Sequence, residues 1–183
     1  MLESVRIAFY KKSLRRVLAA QKRRRRSHNL ESARTIGILF DATTEKIRRE
    51  IMDYAQDLEE KGKKVRIFGY FAVKQPPVGH SFGFFHKKEV NWYGVPTSEK
   101  ARAFAEEKPD VMIYLNQEAC RPLEWLAAAS QASMKIGFAT DQPNDFDLLL
   151  ETPGDKGIAY FIEQLHHYLG KIVLTKNESA RAI

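Results

Sequence analysis

The sequence predicts an α/β fold: a single three-layer domain with a mostly parallel sheet of about five strands, preceded by a basic amphipathic helix. Three observations carry this. Short runs rich in β-branched and aromatic residues alternate with segments of helical period along the chain. The 183 residues, 44% of them apolar, suit one domain with a sizeable core. The charge is lopsided. Residues 1–30 hold ten Lys or Arg against one acid, Glu3, a balance of +9, whereas the other 153 residues hold twenty bases and twenty-two acids, a balance of −2. The chain thus divides into a basic helix and linker over 1–33, the α/β domain over 34–175, and a flexible tail over 176–183.

Residues 3–26 read as a helix, with Ile7, Tyr10, Leu14, Val17 and Leu18 on one apolar stripe and Lys12, Arg15, Arg16, Lys22 and Arg23 mainly opposite. "TIGILFD" (35–41) reads as a buried strand. Asp41, Thr43 or Thr44 is placed to cap the next helix, whose apolar face is Ile47, Ile51, Tyr54, Ala55 and Leu58, and Gly62 suits its end. "KVRIFGYF" (64–71) is a second strand, so 35–71 forms a βαβ unit with parallel strands. The Pro-Pro and Gly content of 72–81 predicts a loop; 82–96 is aromatic-rich and reads as a short strand followed by an irregular segment.

A helix opened by Thr97 or Ser98 runs to about Lys108, where Pro109 stops it. "DVMIYLN" (110–116) is the next strand, and 121–133 is a helix with Pro122 in its first turn. "MKIGFA" (134–139) and "FDLLLE" (146–151) are two more strands. A last helix spans about 155–173, striped by Ile158, Phe161, Ile162, Leu165, Leu169 and Ile172. This alternation is that of a Rossmann-like or flavodoxin-like sheet covered on both faces.

Several stretches, in order and spacing, carry a resemblance: "GILFDATTE" (37–45), "VNWYGVP" (90–96), "PDVMIYLN" (109–116), "AAASQASMKIG" (127–137), "FDLLLE" (146–151) and "YFIEQLHHYL" (160–169). Together they resemble a group of short bacterial proteins of unknown function that carry a Lys/Arg-rich N-terminal helix and a Rossmann-like domain. The resemblance implies a bacterial, cytoplasmic protein and supplies no catalytic residue. Residues 109–139 also resemble a half-domain of glycosyltransferases built from paired Rossmann-like domains. That group needs two such domains, and this chain has length for one.

In open α/β sheets ligands bind at the carboxyl ends of the strands. Those ends bring Asp41, Thr43, Thr44, Asn116 and Asp141 forward as a candidate small-molecule pocket, against the simpler reading of caps and turns. No phosphate-cradling motif of either glycine-rich type occurs and no cofactor is expected, but the helix N-terminus near Thr43 could bind a single phosphate. An enzyme or module that takes a small molecule or nucleotide at these strand ends stands as the alternative. The five histidines show no metal-ligand spacing, and no metal is expected. His167 should face solvent. Cys120, near a helix N-terminus, is expected to be small buried filler rather than a nucleophile; it has no second cysteine to pair with, which suits a reducing compartment. These residues leave enzymatic activity open and lean against it.

The basic leader has four readings. Nothing in the chain spans a bilayer by length and hydropathy, and no secretory signal is seen. A solvated charge run is the simplest. RNA or ribosomal contact is the reading preferred, because Lys11, Lys12, Arg15, Arg16, Lys22, Arg23, Arg24, Arg25 and Arg26 can neutralise several phosphates and no DNA-reading motif is present. An amphipathic foot on an anionic membrane surface would use Ile7, Tyr10 and Leu14, a stripe equally able to dock on the domain. A mitochondrial presequence fits the Arg-rich, acid-poor composition but not the bacterial resemblance. The aromatic segment (Phe82, Phe84, Phe85, Trp92, Tyr93) lies among His80, His86, Lys87 and Lys88, a composition able to stack on unpaired nucleotides. Packing is expected for most of these rings.

Overall fold

The computed structural model of the protein describes residues 2–174; the tail expected over 176–183 lies outside the described residues. Its elements are α1 (Leu2–Ala19), β1 (Thr35–Asp41), α2 (Glu45–Glu60), β2 (Lys64–Phe71), β3 (Gly83–His86), a 3₁₀ turn (Lys87–Glu89), α3 (Glu99–Glu106), β4 (Val111–Leu115), α4 (Arg121–Ala129), β5 (Met134–Phe138), β6 (Leu148–Leu150) and α5 (Ile158–Lys171). The six strands form one sheet in the order β3-β2-β1-β4-β5-β6, with every neighbouring pair parallel. This is a Rossmann-like order, in which the chain reverses its direction of travel between β1 and β4. The short strand expected in 82–96 is β3, whose pairing with Phe68–Phe71 makes an edge and brings the sheet, expected to have about five strands, to six.

Side-chain alternation splits the core between the two faces of the sheet. Ile36, Ile38 and Phe40 of β1 pack with Ile51, Tyr54 and Leu58 of α2 and with Phe161, Leu165 and Leu169 of α5. Leu39 points the other way, into a cluster with Phe104 of α3 and Leu123 and Leu126 of α4. Fully buried central strands read as continuous apolar runs because both faces are covered. Gly69 in β2 is required by packing: a Cβ there would stand 2.8 Å from that of Ala42 and 2.9 Å from the Phe82 ring.

α1 adds a further layer outside α4, where Tyr10 and Leu14 are buried with Val95 and Ala128. The helix ends at Ala19, which corrects the expected span of 3–26. Residues 21–29 run as an irregular strap over the end of the domain. Five consecutive bases in a helix would set like charges three and four residues apart on its surface, and the extended strap avoids that repulsion. The helix read over 121–133 likewise stops at Ala129, where Ser130 takes a non-helical conformation.

Candidate functional site

The apolar stripe of α1 is spent on α4. The Tyr10 hydroxyl donates to the Arg121 carbonyl and to Glu124 Oε2, each at 3.1 Å, and the Trp125 indole donates to Ser13 Oγ at 3.0 Å. Burial, followed by the nearby Glu124 carboxylate, pushes the Tyr10 phenol far above its ordinary range. Arg121 Nη2 bonds Glu3 at 2.9 Å and holds that carboxyl below its usual value. Seating the helix this way turns Lys11, Lys12, Arg15 and Arg16 outward, and all four are exposed.

The strap is fixed by buried polar contacts that sequence reasoning missed. Gln21 donates to the carbonyls of Ala128 and Ser130, and the Arg26 amide donates to the Ser133 carbonyl at 3.1 Å. Arg23, read as an exposed phosphate ligand, has a side chain only 1% exposed. Its guanidinium bonds Asp145 Oδ2 at 3.1 Å and Asp147 Oδ2 at 2.8 Å, and donates to the carbonyls of Ala132, Ser133 and Asp145.

Beneath it Lys135, fully buried in β5, donates to Asp145 at 2.9 and 3.0 Å and to the carbonyls of Ala127 and Ala128. Burial lowers the Lys135 ammonium to about 8, with Asp145 opposing the shift. A charge in an all-buried strand needs a carboxylate, and the lone lysine of "MKIGFA" beside the acids of "NDFD" was the available signal.

Arg23 is therefore structural, and Arg26 is half-buried. Lys11, Lys12, Arg15, Arg16, Lys22, Arg24 and Arg25 remain exposed. Of these seven, only Arg25 pairs with a carboxylate among the described residues, reaching Asp147 at 3.4 Å.

The aromatic segment divides. Phe85 is buried against Phe68 and Tyr70, while Phe82 and Phe84 gather around Phe71. Trp92 instead stands 56% exposed on a tight turn. Asn91 Oδ1 accepts from the Tyr93 and Val95 amides, and Gly94 holds a φ of +98° that other residues rarely adopt. The Trp92 ring lies 5.2 Å from Phe9 of α1 and 5.2 Å from Tyr93. The Phe9 to Tyr93 distance is 6.0 Å. Lys12 and Arg16, three and seven residues beyond Phe9, share its side of the helix.

The strand-end candidates separate into two groups. Asn116 and Asp141 line a cavity of about 320 Å³ between the carboxyl ends of β4 and β5, together with Tyr114, Thr140, Asn144 and Asp145. Asp41, Thr43 and Thr44 do not line it. Asp41 Oδ1 accepts from the Thr43 amide at 2.8 Å, Thr43 Oγ1 accepts from the Ala72 amide at 2.9 Å, and Arg48 donates to the carbonyls of Ala42 and Thr43. Thr44 occupies the N-cap of α2 without a side-chain bond. The end of β1 is thereby closed on itself. Burial pushes the Cys120 thiol up to about 12, which leaves it protonated at neutral pH and a poor nucleophile. His166 bonds Tyr54 at 3.1 Å, and His167 is exposed. Among the described residues no group of three or more His, Cys, Asp or Glu side chains is placed to hold a metal ion, and no helix is long and apolar enough to cross a membrane.

Compared with known proteins, residues 6–172 match the profile of a family described as "Family of unknown function (DUF6913)". The chain belongs to that family. The match runs from α1 through the end of α5, so the basic helix and the strap lie inside the family's extent. No curated protein and no solved structure matches the chain.

Proposed function

We propose that this DUF6913 protein is a non-enzymatic α/β protein that contacts RNA, on the ribosome or elsewhere, through the outward face of α1 and the adjoining strap. The observation that carries this is the set of six exposed bases with no ion-pair partner among the described residues, Lys11, Lys12, Arg15 and Arg16 on a helix seated on the domain and Lys22 and Arg24 on the strap that follows it. Surface charges in folded proteins are commonly balanced by nearby acids. Here the −2 domain supplies Asp145 and Asp147 to Arg23 and Arg25, and the leader's one acid, Glu3, is taken by Arg6 and Arg121, which leaves the outward face uncompensated. Such a face releases counterions when it meets phosphates.

The membrane reading is less favoured, because Tyr10 and Leu14, the stripe a lipid foot needs, are buried on α4. A small-molecule role draws its support from the cavity holding Asn116 and Asp141. Neither a glycine nor a cysteine is among the residues that line that cavity.

The test replaces Lys11, Lys12, Arg15 and Arg16 together by Gln, a good helix former, leaving the strap and Arg23 intact. RNA affinity falls and the salt dependence flattens by about 3 units of slope. Unchanged binding by a folded variant refutes the proposal.

A further inference from the structure

We infer that Phe9, Trp92 and Tyr93 form a stacking platform for unpaired bases, so that RNA held by the basic face of α1 is single-stranded or looped where it crosses the Asn91–Val95 turn. This rests on the RNA reading above and specifies the form of RNA. Trp92 is 56% exposed and Phe9 49%, yet neither is loosely placed. The turn beneath Trp92 is closed by two Asn91 side-chain bonds, by the Asn91 amide donating to the Val95 carbonyl at 2.9 Å, and by an antiparallel bridge between Val90 and Pro96. Phe9 is fixed by the helix that Tyr10 and Leu14 seat on α4.

The result is an open, pre-positioned aromatic surface whose neighbours one turn away on α1 are Val5, Arg6, Lys12 and Ser13, with Arg16 a further turn along the same side. Aromatic rings next to phosphate-binding cations make up the stacking-and-charge arrangement that grips single strands, since every base offers a π-face whatever its sequence. A duplex hides those faces in its own stack and engages the charges alone. The cations decide against a neutral apolar partner. The burial of Tyr10 and Leu14 on α4 disfavours lipid and leaves Leu2 and Val5 as the other exposed large apolar side chains of α1, which the vesicle probe tests.

The experiment measures binding of the full chain to a short unstructured RNA and to a duplex of the same sequence, with anionic vesicles as a third probe. Wild type prefers the single strand, with quenching of tryptophan fluorescence. Trp92→Ala weakens single-strand binding about tenfold, abolishes the quenching, and leaves duplex binding and the salt slope unchanged. Trp92→Phe, which keeps a ring, recovers most of the affinity. A thermal melt checks that each variant is folded.

Equal loss on both RNAs, or no loss, with wild type still binding in a salt-dependent way, overturns the platform while leaving the RNA reading in place. Binding to vesicles with no binding to either RNA overturns both.

Discussion

Replacing Arg23 by Gln should destabilise the protein far more than the same change at its neighbours. The Arg23 side chain is 1% exposed and contacts two carboxylates, at 3.1 and 2.8 Å, together with three backbone carbonyls. Removing it leaves Asp145, itself 10% exposed, with Lys135 alone, and leaves Asp147 with the Lys135 amide and the longer Arg25 contact at 3.4 Å. Breaking a buried ion pair from one side costs about 3–5 kcal/mol. Because Lys135 still neutralises Asp145, the lower end applies, about 3 kcal/mol. For a chain of this size that lowers the melting temperature by about 6–12 °C. Arg24→Gln, at an exposed position, should stay within about 0.5 kcal/mol of wild type. Urea unfolding at constant m-value reads the difference. If Arg23→Gln and Arg24→Gln unfold within error of each other, the strap is not clamped as described.

Three further outcomes follow from the same contacts. Burial lowers the Lys135 ammonium from 10.5 to about 8, so between those values the unfolded chain binds more protons and stability rises with pH, by up to about 1.4 kcal/mol per unit. The Cys120 thiol, raised to about 12, opposes this above about pH 9 in wild type and variant alike. Urea titrations between about pH 8 and 9.5, below the range in which tyrosines ionise, should therefore show wild type gaining stability relative to Lys135→Met; parallel curves would contradict it. Gly94→Ala must hold a side chain at φ +98°, with its Cβ 3.2 Å from that of Arg121, and should cost more than about 1 kcal/mol in thermal unfolding, whereas Gly154→Ala, with open space around it, should not. Any small molecule that raises the melting temperature by entering the β4–β5 cavity should lose its effect in Asn116→Ala and keep it in Asp41→Ala, because only Asn116 lines that space.

The sheet was legible because its strands are covered on both faces, so each appears as an unbroken apolar run between helical stripes. β1 as 35–41 and β2 as 64–71 coincide with the observed strands. The end of α1 was not legible. Lys22 to Arg26 continue the helical composition, and what draws the chain into a strap is a pair of aspartates more than 120 residues away. Long-range ion pairing leaves no local period to read. The strand-end candidates were found by a topological rule, and the rule gathered Asn116 and Asp141 but not Asp41, whose carboxylate is consumed by its own turn. Trp92 carried no signal beyond its composition, since its exposure depends on Phe9 arriving from α1 to meet it.

The most direct test of the proposed RNA contact is the salt dependence of binding by the intact chain. With four to seven of the exposed bases engaged, the logarithm of the association constant should fall against the logarithm of salt concentration with a slope of about −3 to −6. A slope near zero, or the same slope after Lys11, Lys12, Arg15 and Arg16 are changed to Gln, would contradict it.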